Sequence, residues 1–268
     1  MIEDLTVVVV VWGSYVRWLP ELRTRLNEEG ISEEQLIVCT NADPEAERAA
    51  TGVWPRAAHL ALPSRVSIGA ARNATLEHVR TRKVCFCDAD DLPAPGALRK
   101  LMSAFDRQPG LVLATGLAAR LSEGEVFPYA WPPAWAARGM SRLGRVVRQW
   151  GFNHLSVTTG AVLDVATIRA LGGFPDESLA EDGMLACALA AFGSVAVLDQ
   201  VTREYRTHED GLCQRGLSAV EWTNAYRVQR GWLAGNRSLP RWRVLAHLYA
   251  PVHLRLAQRL ARVVRHDV

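Results

Sequence analysis

The chain has 268 residues, 49% of them apolar and 22% charged, which allows a large buried core and argues against wholesale disorder. The formal net charge is only +3, and Lys83 and Lys100 are the only lysines among 31 basic residues; so even a balance argues against a dedicated nucleic-acid binder. Cys39, Cys85, Cys87, Cys187 and Cys213 are odd in number and lack zinc-ribbon spacing, so buried free thiols and a reducing, cytoplasmic setting are expected. Thr6-Val7-Val8-Val9-Val10-Val11 reads as a central strand covered on both faces. The run follows Glu3 and Asp4 where a signal peptide would carry a basic leader, and it is too short to span a bilayer.

After the loop at residues 12–15, residues 15–28 read as a helix ending at Gly30. Residues 36–40 form a second strand, followed by a polar loop at 41–44. Residues 58–62 form a third strand, 68–79 a helix and 83–87 a fourth strand. This alternation predicts βαβ units and a mostly parallel sheet. A helix at 95–105 and a strand at 111–115 follow. Pro128, Pro132 and Pro133 stand among Trp131, Trp135 and Trp150. That segment reads as part of an inserted lid over residues 117–157, able to stack on a sugar, or as a surface loop packing its tryptophans on the core. Strand, helix, helix, two paired strands and helix are expected at 160–163, 165–171, 181–192, 194–198 with 201–205, and 217–233. The arrangement divides into two halves of one domain (1–115 and 116–210) and a C-terminal helical extension (211–268). The tail alternates apolar residues with Arg241, Arg243, Arg255, Arg259, Arg262 and Arg265. Such a helix packs on its own domain or lies on an anionic membrane as a peripheral contact.

The densest chemistry is in Val84-Cys85-Phe86-Cys87-Asp88-Ala89-Asp90-Asp91. An apolar run ends in three carboxylates, at the strand end where α/β sheets place ligands. Such charge calls for a cation, and a divalent metal carrying a phosphate supplies one. A solvated acidic turn is the alternative reading. Upstream, Ser67-Ile68-Gly69-Ala70-Ala71-Arg72-Asn73 opens a helix. Downstream come Thr159-Gly160-Ala161, Gly172-Gly173-Phe174-Pro175 and Ala180-Glu181-Asp182.

In this order the motifs resemble the inverting family 2 glycosyltransferases, which have the GT-A fold, over residues 7–208. The resemblance implies transfer of a sugar from a nucleotide-diphosphate donor to an acceptor hydroxyl with inversion. It implies Mn2+ or Mg2+ held by Asp90 and Asp88, with Asp91 in support and Asp88 facing the nucleoside sugar. Asp182 matches the catalytic carboxylate, with Glu181 orienting the acceptor or loop; the alternative is that both acids merely cap a helix. Tyr205-Arg206-Thr207-His208 resembles a later motif, in which His208 meets the metal and Arg206 the phosphates. Val10, Trp12, Asp43 and Arg72 are candidates for the nucleotide pocket, and Gly69 for close backbone approach to the nucleotide. The second strand lacks the paired aspartates of the family, so Asp43 takes the base-reading role or the base is read differently; a UDP-sugar is the default donor. The alternatives are a nucleotidyltransferase of related architecture and a non-catalytic partner that binds sugar nucleotides. A haloacid-dehalogenase-type phosphatase is disfavoured, because Asp91-Leu92 stands where that family has a residue and then Thr or Val.

Overall fold

The computed structural model describes residues 2–122, 125–129, 144, 149, 155–177, 179–209 and 218–239. The strands are β1 (Leu5–Val11), β2 (Leu36–Asn41), β3 (Ala58–Leu62), β4 (Lys83–Asp88), β5 (Leu92–Pro93), β6 (Leu111–Ser122), β7 (Glu125–Tyr129), β8 (Val162–Asp164) and β9 (Ser194–Arg206). The helices are α1 (Leu19–Glu28), α2 (Pro44–Val53), α3 (Ile68–Leu76), α4 (Ala97–Arg107), α5 (Val165–Ala170), α6 (Glu181–Phe192) and α7 (Ala219–Gly235).

One sheet runs β3-β2-β1-β4-β8-β6-β9-β5, with β7 on β6. β3, β2, β1 and β4 are parallel. Beyond β4 the sheet is mixed: β8 is antiparallel to β4 and β6, whereas β9 is parallel to β6. The expectation of a mostly parallel sheet therefore holds: β6 and β9 run in the direction of β1 to β4, and the short strands β5, β7 and β8 run the other way. The residues expected to form two paired strands at 194–198 and 201–205 form the single strand β9. Its polar Asp199-Gln200 step is absorbed by register irregularities against β6.

Strand alternation sorts the core into two layers. Val8, Val10 and Phe86 face α3 and α6 through Ala71, Leu76 and Leu185. Val7, Val9, Cys85 and Cys87 face α1 and α4 through Leu22, Leu26, Leu98 and Leu101. Because β1 is covered on both sides, its run of valines is continuous. α6 has ten buried residues, which is why its sequence is apolar all round after the two leading acids.

Residues 13–18 form a 3-10 turn before α1, where a continuous helix from residue 15 is expected. The expected loop at 41–44 instead leads directly into α2, with the Asp43 carboxylate accepting from the backbone N–H of Glu45 and Ala46 and Pro44 at the first helical position. The four described cysteines are buried free thiols, and burial pushes the Cys39 thiol up to about 12. The first part of the expected lid extends β6 into a hairpin with β7. Trp131, Trp135, Trp150 and the basic tail lie outside the described residues. Among those described, no helix is long and apolar enough to cross a membrane.

Candidate active site

The site lies where β1 and β4 end side by side, Val10 paired with Asp88. A cavity of about 180 Å3 opens there, lined among others by Val10, Trp12, Arg72, Asp88, Asp90, Asp91, Glu181, Asp182 and Arg203. A larger cleft of about 990 Å3 lies at the opposite end of the sheet, where Arg82 pairs with Asp4 and Lys83 with Asp164. We place the chemistry in the smaller cavity, where the carboxylates converge.

α3 is the platform for half of this site. Ser67 caps it by accepting from Ala70 N, and its hydroxyl also meets Asp176 at 2.5 Å. Asn73 grips the backbone of Phe174, accepting from its N–H at 2.7 Å and donating to its carbonyl at 2.8 Å. Gly69 N donates to Glu177 O, and a Cβ at Gly69 would overlap the Pro175 carbonyl. The glycine expected to admit a nucleotide thus admits the loop at 175–177. That loop leads into Ala180, which sits at φ 61, and then into Glu181 and Asp182.

The acids differ in environment. Arg72, 4% exposed, donates to Asp88 Oδ1 at 2.7 Å and to Glu181 Oε1 at 2.5 Å. Arg203 approaches Asp88 Oδ2 at 3.5 Å. Burial tends to raise the Asp88 carboxyl, but Arg72 and Arg203 outweigh it and hold the group below its ordinary value. Burial dominates for Glu181, pushing it up to about 7 against the pull of Arg72. It does the same for Asp91, also up to about 7, against Arg203. Asp91 is 1% exposed and accepts from Arg203 Nε and Arg206 N, so it pins the end of β4 to β9. The Thr159-Gly160-Ala161 stretch supports the same junction: Asp88 N donates to Thr159 Oγ1, and Gly160 at φ 71 lets the Thr202 carbonyl pass close by.

His208 Nε2 lies 2.9 Å from Asp90 Oδ2, while Nδ1 of the same ring is buried without a hydrogen-bond partner. Burial and the neighbouring Asp88 raise the Asp90 carboxyl above its ordinary value, His208 opposing. Among the described residues, no three His, Cys, Asp or Glu side chains are grouped so as to hold a metal ion. A divalent cation shared by this carboxylate and imidazole would take its remaining positions from phosphate oxygens and water.

The family profile described as Glycosyl transferase family 2 matches residues 6–164. The chain belongs to this family. No curated protein matches its sequence. Among solved structures, a fragment (1–349) of S. aureus TarS in complex with UDP-GlcNAc is 16% identical at TM-score 0.67, covering 87% of this chain and 67% of that one. The mannosyltransferase PcManGT from Pyrobaculum calidifontis, in complex with GDP-Man and Mn2+, is 18% identical at TM-score 0.60, covering 99% and 76%. Both are GT-A glycosyltransferases and share this fold. This chain covers 40% of the longer S. aureus TarS structure.

Of the site residues read from the sequence, Asp43, Arg206 and His208 lie outside the cavity lining, His208 reaching it through Asp90. Asp43 does not line the cavity; its carboxylate accepts from Gly13 N at 2.6 Å as well as from the first turn of α2. Arg206 is also outside the lining. It stacks on Trp18 at 4.0 Å and donates to Glu21 and to the Asp90 carbonyl. The arginine of β9 that lines the cavity is Arg203, which the sequence reading missed. Arg203 shares the strand face of Tyr205, which also lines the cavity, whereas Arg206 faces the other way.

Proposed function

We propose that the protein transfers a glycosyl group from a nucleotide-diphosphate sugar to an acceptor hydroxyl in one displacement that inverts the anomeric carbon. The observation that carries this reading is the convergence of Asp88, Asp90 and Asp182 on one cavity at the ends of β1 and β4. Val10 and Trp12 border the nucleotide. Asp182, at the first turn of α6, takes the acceptor proton as the acceptor oxygen bonds to the anomeric carbon and the bond to the diphosphate oxygen breaks. Asp90 and His208 would hold Mn2+ or Mg2+. That ion would supply Lewis-acid stabilisation for the charge gathering on the departing diphosphate. UDP and GDP sugars are the first donors to try, because the TarS and PcManGT structures contain them.

The test is calorimetry with UDP and GDP, with and without Mn2+, followed by product analysis on a panel of their sugars. We expect nucleoside diphosphate release, an inverted product, and Mn2+-dependent binding that Asp90→Asn abolishes. Diphosphate release, metal-independent binding or an unaffected Asp90→Asn variant would each overturn the corresponding part.

A further inference from the structure

We infer that Arg72 is a positioning residue tying the donor end of β4 to the general base on α6, and that it is not a ligand of the nucleotide. The inference rests on the transferase reading and goes beyond it by separating two roles within the same cavity. Three observations support it. First, the guanidinium is committed on two sides, to Asp88 at 2.7 Å and Glu181 at 2.5 Å. Second, its face is covered: it stacks over Phe174 at 5.2 Å, and Phe174 meets Phe86 edge-on at 4.9 Å. A planar fork held in this way bridges two carboxylates as a lysine cannot.

Third, α6 starts without the usual support. Its N-cap is Ala180, with no side-chain cap. Among the described residues, Arg72–Glu181 is the ion pair that ties the first turn of α6 to α3, and Arg72–Asp88 continues the tie to β4. Asp182 follows Glu181 directly, so displacement of Glu181 moves the carboxylate proposed as base. An error of about 1 Å in such a group costs on the order of 10²-fold in rate. Of the donor-side groups Val10, Trp12, Asp88, Asp90 and His208, Arg72 bonds only Asp88.

The test uses the full chain and four variants: Arg72→Lys, Arg72→Gln, Glu181→Gln and the Arg72→Gln/Glu181→Gln double. Calorimetry with UDP and GDP in Mn2+ reads donor-site affinity. Steady-state release of nucleoside diphosphate from a panel including UDP-GlcNAc and GDP-Man, with water as acceptor, reads kcat and KM. We expect kcat to fall about 10²-fold in each Arg72 variant, with KM and nucleotide affinity within about 3-fold. The double variant should be no slower than the slower single, since both act through one link. A tenfold loss of nucleotide affinity with kcat retained, or effects of Arg72 and Glu181 that multiply, would overturn the inference. If Arg72→Gln fails to fold, Arg72→Lys and Glu181→Gln carry the same comparison. A wild-type chain that binds neither nucleotide and turns over no member of the panel overturns the transferase reading and this inference with it. Binding and turnover with no effect at Arg72 overturn this inference alone.

Discussion

Glu181 and Asp182 are adjacent in sequence and border the same cavity, but they differ in exposure and partners. Glu181 is 6% exposed and is bound to Arg72. Asp182 lines the cavity, with Oδ1 accepting from the N–H of Gly183 at 2.6 Å. A base needs access to the acceptor proton, so the proposed role belongs to Asp182 and a supporting one to Glu181. Asp182→Asn keeps the size and the hydrogen bond but cannot take a proton. We expect transfer to fall by about 10²–10⁴-fold while affinity for UDP or GDP changes by less than about 3-fold. Single-turnover rates beside calorimetry check this, and an active Asp182→Asn enzyme would move the base elsewhere. The sequence made the residue types at this site legible, because carboxylates at a strand end and at a helix start stand out in an apolar chain. It did not show which charges neutralise one another. The roles of Arg203 and Arg206 depend on partners distant in sequence.

At the scale of elements, the motif beginning at Ser67 builds a platform. Asn73, Gly69 and Ser67 each engage the loop at 173–177, so α3 sets where α6 begins. Asn73→Ala would remove both side-chain bonds to Phe174 and leave its N–H and carbonyl to find other partners. We expect a loss of about 2 kcal/mol, from hydrogen bonds worth roughly 1 kcal/mol each, seen as a lower urea midpoint. Turnover should fall with it, because the loop carries Asp182's helix. An unchanged midpoint would mean the loop is held by its backbone contacts alone. The strongly patterned elements, β1, β4 and α6, were readable in the sequence, since burial on both sides of a sheet dictates apolar runs. The missed helix α2 opens on Asp43-Pro44. That pair signals a turn as readily as a helix start, and the following Glu45 to Val53 stretch is short and weakly apolar. Strand direction beyond β4 was not readable, because residue pattern reports burial and carries no trace of polarity.

For the whole molecule, the formal charge of +3 hides a local imbalance. Among the described residues, the cavity lining brings Asp88, Asp90, Asp91, Glu181 and Asp182 together with Arg72 and Arg203 as its cations. The fold tolerates this partly by keeping protons on buried acids. Glu181 and Asp91 are each pushed up to about 7 by burial, from ordinary carboxylate values near 4. A folded-state pKa above the unfolded one means that the folded chain holds extra protons within that window. The stabilisation is complete below pH ~4 and is lost as pH rises through about 7. Asp88 has the opposite sign: it is held below its ordinary value by Arg72 and Arg203 against burial, so its contribution is lost on acidification. Stability of the ligand-free protein should therefore fall from pH 5 to pH 8, each raised group contributing a slope of at most ~1.4 kcal/mol per pH unit. Glu181→Gln has no proton to lose, so its denaturation midpoint should fall less steeply over the same range, with the Asp91 and Asp90 contributions remaining. Urea titrations of both proteins at pH 5, 6, 7 and 8 decide the matter. Parallel slopes would mean that Arg72 keeps Glu181 ionised throughout, and the proton held at the active-site mouth would then belong to Asp91.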